Sequence, residues 1–138
     1  MRTTSPHSLA GSALAGLLSL VLAACAGSTP ADAPLPPFDS ALFKHWIHSF
    51  EEDTASAKVY RPKGYAFPRA RGREGFELQP DGVYIRYDIG RGDGSVGVKG
   101  TWKQIGPRVI EVRTGDDAAA SERLQILTYD DTVLTLRT

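Results

Sequence analysis

Phe76-Glu77-Leu78-Gln79-Pro80-Asp81-Gly82-Val83-Tyr84-Ile85-Arg86-Tyr87 is the stretch on which the fold turns. Phe76 and Leu78 alternate with polar neighbours, and Val83, Ile85 and Tyr87 repeat the pattern. A half-buried strand needs this period of two, because successive side chains point to opposite faces. Between the runs stands Pro80-Asp81-Gly82, a turn sequence whose glycine tolerates positive φ. The segment is expected to form an antiparallel hairpin.

The same pattern continues toward the C-terminus. Val96, Val98, Gly100 and Trp102 keep a strict period of two, and Val109 to Val112 follow the Gly106-Pro107 turn. Leu124 to Leu127, the Asp130-Asp131 turn and Val133 to Leu136 complete a series of short strands at regular spacing, the mark of a sandwich or barrel. Closure would hide the strand edges. Upstream, residues 42 to 50 admit two readings. Positions 42, 43, 46, 47 and 50 fit one helical face that Asp39 or Ser40 caps; alternatively a short helical turn near 40 to 44 precedes a strand from Trp46 through Glu51. The second is preferred.

The chain has 138 residues, 16 Lys plus Arg against 16 Asp plus Glu, and one cysteine, Cys25. No internal disulfide can form, so packing must hold the fold. The balanced charge supplies no global field for nucleic acid or acidic membrane headgroups, so no nucleic-acid partner is expected. At the N-terminus, Arg2, an apolar run from near Leu9 to Ala24 and small residues before Cys25 form the three parts of a secretory signal. The run is broken by Gly11, Ser12, Gly16 and Ser19 and falls short of the roughly 20 apolar residues of a spanning helix. Residues 26 to 37, AGSTPADAPLPP, are too poor in bulky apolar side chains to fold and read as a tether. The expected organisation is a signal peptide over 1–24, a lipidated Cys25 with a tether over 25–37, and one β domain over 38–138.

Leu22-Ala23-Ala24-Cys25 resembles the lipobox of bacterial lipoproteins. The resemblance implies a diacylglyceryl thioether on Cys25, cleavage before it, and a new amino terminus that is often acylated. Two or three chains make a durable anchor where one holds only marginally. Ala26, standing where that family places an inner-membrane retention Asp, implies the outer membrane of the cell envelope. The competing reading is an ordinary signal cut at a site such as Ala24-Cys25-Ala26. Further along, Phe76-Glu77-Leu78, Asp81-Gly82-Val83, Gly100-Thr101-Trp102, Val109 to Val112 and Asp131-Thr132-Val133-Leu134 resemble the small lipocalin-like domains of bacterial lipoproteins, over roughly residues 45 to 137. This implies an antiparallel meander closing into a barrel. Full-length lipocalins carry Gly-x-Trp near the first strand, whereas here it lies mid-chain. His48 to Asp53, Tyr60-Arg61-Pro62 and Arg71 to Phe76 also resemble a small family to which no activity is attached.

Three groups of residues offer chemistry. Arg61, Lys63, Arg69, Arg71 and Arg73 fall in thirteen residues free of acids and interleaved with Tyr65 and Phe67, a composition that can grip phosphate or carboxylate; the alternative is a solvated loop whose arginines pair with Glu51, Glu52, Asp53 or Glu74. Trp46 and Trp102 offer either an apolar ligand wall or core packing. His45, His48, Glu51 and Glu52 would support zinc or acid-base work only if His48 and Glu52 shared a helical face. Gly90-Arg91-Gly92-Asp93-Gly94 is read as hairpin chemistry rather than a phosphate loop or an adhesion tripeptide, because no Lys-Ser/Thr follows it. No nucleophile motif is present. The chain is therefore expected to be an anchored binding module that needs no cofactor. In this reading Trp46 and Trp102 wall a small amphiphilic or acidic ligand, and Arg61, Arg71 and Arg73 hold its acid group. The alternatives are a packed adaptor for another envelope component and, more weakly, a hydrolase centred on His48 and Glu52.

Overall fold

The computed structural model describes residues 34–115 and 121–138. The leader, Cys25 and most of the tether lie outside the described residues, and no helix among those described is long and apolar enough to cross a membrane. Eight antiparallel strands form a closed barrel: β1 (His45–His48), β2 (Ala57–Pro62), β3 (Gly75–Leu78), β4 (Val83–Ile89), β5 (Ser95–Gly106), β6 (Val109–Thr114), β7 (Ser121–Tyr129) and β8 (Leu134–Arg137). The expected all-β antiparallel sheet closed into a barrel is the fold observed.

The hairpin over Phe76–Tyr87 forms as its turn chemistry requires. Gly82 sits at φ +89, the Asp81 carboxylate accepts from Val83 N at 3.2 Å, and Leu78 pairs with Tyr84. Paired residues in an antiparallel ladder share a face, so this register turns Tyr84, Arg86 and Asp88 inward. Val83, Ile85 and Tyr87, the residues whose alternation reveals the strand, lie on the outer wall. On β5, Val96, Val98, Gly100 and Trp102 all face inward, as the pairings Tyr84 with Gly100 and Trp102 with Val112 show.

Neighbouring strands are consecutive from β3 to β8, and β1 is inserted between β2 and β3. The β2–β3 connection, residues 63 to 74, therefore travels along the outside of β1, held at its ends by Lys63 N to His45 O and His48 N to Glu74 O, both 2.9 Å. We call this segment the strap. The ambiguous stretch resolves into a 3-10 turn over Ser40–Leu42, β1, and a second 3-10 turn over Phe50–Glu52.

One end of the barrel is packed solid. Leu42, Trp46, Leu78, Ile110, Ile126 and Leu134 are at most 1% exposed. The Ser40–Leu42 turn plugs this end: Asp39 caps it by accepting from Ala41 N at 2.9 Å, and Trp46 Nε1 donates to Leu42 O at 2.9 Å. Phe38 and Phe43 lie against Trp102 with ring centroids 6.3 and 5.8 Å away, and Trp102 Nε1 donates to Gln79 O at 2.8 Å. Both indoles thus bury area while their N–H groups are satisfied, which makes them good plugs.

Candidate functional site

The end of β2 and the strap together carry the basic run, and the fold sorts it into two sets. Arg61, the last arginine of β2, clasps Glu52: Nε donates to Oε2 at 2.8 Å, Nη2 to Oε1 at 2.6 Å, and Nη1 reaches Thr132 O at 3.1 Å. The hydrogen bond from Arg61 is the main reason the Glu52 carboxyl is pulled down to about 2. Arg73 clasps Glu51 in the same bidentate manner and donates to His48 O at 3.1 Å and Pro68 O at 3.0 Å. Its guanidinium lies 4.4 Å from the Phe50 ring and 4.7 Å from Phe67. With a side chain only 9% exposed, Arg73 bolts the strap to the barrel. The planar, five-donor fork of arginine is what lets one residue satisfy so many partners.

Lys63, Arg69 and Arg71 are left without an ion pair among the described residues. They line a groove of about 610 Å³ between strap and barrel wall. Its inner side is aromatic: the His45 ring stacks on Tyr87 at 4.1 Å and 11°, Tyr87 OH donates to Glu77 Oε2 at 3.1 Å, and Ile47 and Phe67 add hydrocarbon. Burial, followed by the nearby Lys63 charge, holds the His45 imidazole below its usual range. Asp93, at φ +62 in the β4–β5 turn, brings one carboxylate to the rim. Three cations against one anion over a stacked aromatic floor favour an acidic group with an apolar body.

The sequence-derived residues do not converge on one cavity. Arg71 and Arg73 line the groove, although Arg73 is spent on Glu51. Arg61 is engaged with Glu52. Trp46 has no exposed surface to offer a ligand, because it fills the plugged end. Trp102 borders a separate cleft of about 510 Å³ with Phe38, Phe43 and Pro80. The hydrolase pair is separated: His48 Nε2 meets Asp53 Oδ2 at 2.8 Å, whereas Glu52 belongs to Arg61, and the two sit on a strand and a 3-10 turn rather than one helix face. The Gly90–Gly94 segment is the β4–β5 turn, closed by Gly90 N to Gly94 O at 2.6 Å.

Lys63 and Arg69 belong to the recognised basic run, but His45 and Tyr87 were not expected to join it. Their contact depends on β3 and β4 placing Tyr87 beside β1, a pairing with no local signature. No family model, curated protein or solved structure matches this chain.

Proposed function

We propose that this chain is an envelope lipoprotein, anchored through acyl chains on Cys25 and placed at the outer membrane. Its barrel carries a binding groove for a small amphiphile with an acidic head. The observation that carries this proposal is the trio Lys63, Arg69 and Arg71, unpaired among the described residues and set around the His45–Tyr87 stack. The barrel core serves as scaffold, since its plugged end is filled by its own side chains. The head group would accept from the guanidinium forks while the tail lies along Ile47 and Phe67.

Titration of the full chain with decyl phosphate, inorganic phosphate and decyltrimethylammonium tests the groove. Saturable binding of decyl phosphate is expected, with Arg69→Ala and Arg71→Ala each weakening it about tenfold, the size of a lost charge-assisted hydrogen bond. Equal binding of the cationic amphiphile would refute the groove chemistry. The anchor is tested separately: Cys25→Ser should abolish labelling by radioactive palmitate and release the domain from membranes. Continued partitioning of that variant into membranes would contradict the anchor. The adaptor alternative draws on the filled core and on the exposed Ile89 and Val96 near the β4–β5 turn, and it predicts specific crosslinks from that turn to another envelope protein.

A further inference from the structure

The barrel end opposite the Leu42 plug is lined with charge. Inward positions there carry Lys58, Arg86, Asp88 and Glu122 above a floor of Tyr60, Phe76 and Tyr84, and together with Glu74 they enclose a pit of about 130 Å³. The pit shares Lys58, Tyr60, Glu122 and Leu124 with an adjoining cleft of about 330 Å³ beside β8.

Tyr84 distinguishes this pit from a solvated rim. The residue is 4% exposed, yet its hydroxyl has no hydrogen-bond partner among the described residues. No side-chain polar atom sealed from solvent is left unpartnered among them, so the hydroxyl opens onto the pit. A hydroxyl that opens onto a pit in this way is met by water there and can be passed to an acceptor on a ligand. Burial, aided by the Glu122 charge, pushes the Tyr84 phenol up to about 12, so it stays a donor at neutral pH. Tyr60, buried beside Phe76 at 5.1 Å between ring centroids, is also pushed up by burial.

The charges divide in a telling way. Arg86 and Asp88 neutralise each other at 2.9 Å. Lys58, Glu74 and Glu122 have no ion pair among the described residues. Among the described residues the pit therefore presents one free cation and two phenol donors beside two free carboxylates. A plain anion would meet the carboxylates, and a plain cation would leave Lys58 and the phenols unused. A water occupies about 30 Å³, so the pit holds roughly four waters or a molecule of similar bulk.

We propose that this end of the barrel is a second binding site, for an amino-acid-sized zwitterion whose acid group accepts from Tyr84 and Lys58 and whose ammonium faces Glu122 and Glu74. A side chain on such a ligand would extend into the adjoining cleft. Binding of so small a molecule is expected near ~1 mM.

The test is a titration of the full chain in detergent micelles with glycine, acetate and ethylammonium, followed by amide nuclear magnetic resonance shifts. Glycine should produce saturable shifts at Tyr84 and Glu122, with acetate and ethylammonium each at least about tenfold weaker. Tyr84→Phe, which removes one hydroxyl and keeps the ring, should weaken glycine by about five- to tenfold. Glu122→Gln should do so by about tenfold, with thermal melting unchanged in both variants. Absence of saturable shifts with glycine would overturn the proposal, as would acetate or ethylammonium matching glycine, or Tyr84→Phe binding as the parent does.

Discussion

The two ends of this barrel use the same strands and the same alternation, yet their interiors differ in kind. At the plugged end the inward positions are Trp46, Leu78, Ile110 and Leu134, all sealed from water. At the other end the same rows continue as Lys58, Arg86, Asp88 and Glu122. In β4 the change happens within one row, from buried Tyr84 to Arg86 and Asp88. A filled end supplies stability; an end lined with charge forgoes hydrocarbon burial, and its unpartnered groups remain available to a ligand. Small eight-stranded barrels have just enough interior for side chains to fill, and here hydrocarbon fills only one end.

The sharpest way to break this contrast is Trp46→Ala. Emptying the plugged end should cost about 3–5 kcal/mol, the usual range for a buried aromatic truncation, and would be seen as a large fall in the denaturant midpoint. If the midpoint hardly moved, the plugged end would not be the source of stability. Gly75→Ala should come next, because an added Cβ would run into the Trp46 carbonyl and push β1 from β3; roughly 1–3 kcal/mol is expected, as for other overpacking changes. Chemical unfolding checks it against Gly64→Ala at the other end of the strap, where the added methyl meets nothing and only the positive φ is strained.

A smaller effect should appear with acid. The Glu51 and Glu52 carboxyls are both depressed, chiefly by hydrogen bonds from Arg73 and Arg61. A depressed carboxyl stabilises the fold above its unfolded value of about 4.5 and loses that contribution as pH falls through the folded value. Melting temperature should therefore decline between about pH 4.5 and pH 2, and less steeply in a Glu52→Gln variant. His45 adds to the same acid decline. Burial, then the Lys63 charge, holds its imidazole below the usual range, so the unfolded chain takes up a proton first as pH drops below about 6.5 and the fold is slightly weakened, while protonation of the folded imidazole at lower pH should tighten a ligand of fixed charge such as decyl sulfate. Decyl sulfate affinity measured at pH 5.0 and 7.5 would show this, because the sulfate charge is constant over that range.

The smallest effect on stability is expected at the charged end. Lys58→Met should move the melting midpoint by no more than about 0.5 kcal/mol equivalent, typical of a solvated surface position, while glycine binding drops. A marked change in stability would mean that the charged end also holds the barrel together.

Most of the strand order from Phe76 onward could be read from local chemistry. The Pro80-Asp81-Gly82 turn, the Gly90–Gly94 turn and the Asp130-Asp131 turn each join strands that are neighbours in both chain and space. The division of residues 40 to 50 into a 3-10 turn and a strand was also within reach, because Asp39 is a local cap. β2 was not recognised as a strand. Its inward residues Lys58 and Tyr60 face the charged pit, so it lacks the hydrophobic stripe that advertises a strand. Which face of β4 points inward was not legible either, because its apolar set, Val83, Ile85 and Tyr87, is turned outward by the Leu78–Tyr84 pairing.

By itself, then, the sequence determined an all-β domain and its hairpins, since alternation and turn residues are properties of short contiguous stretches. Tertiary structure alone decided that β1 sits between β2 and β3, that Arg61 and Arg73 are consumed by Glu52 and Glu51 while Lys63, Arg69 and Arg71 remain available, and that Tyr84 lies beneath a charged pit. Those outcomes depend on pairings between residues far apart in the chain. Which partner satisfies a charge or a hydroxyl is settled only when closure of the barrel brings the candidates within hydrogen-bonding reach.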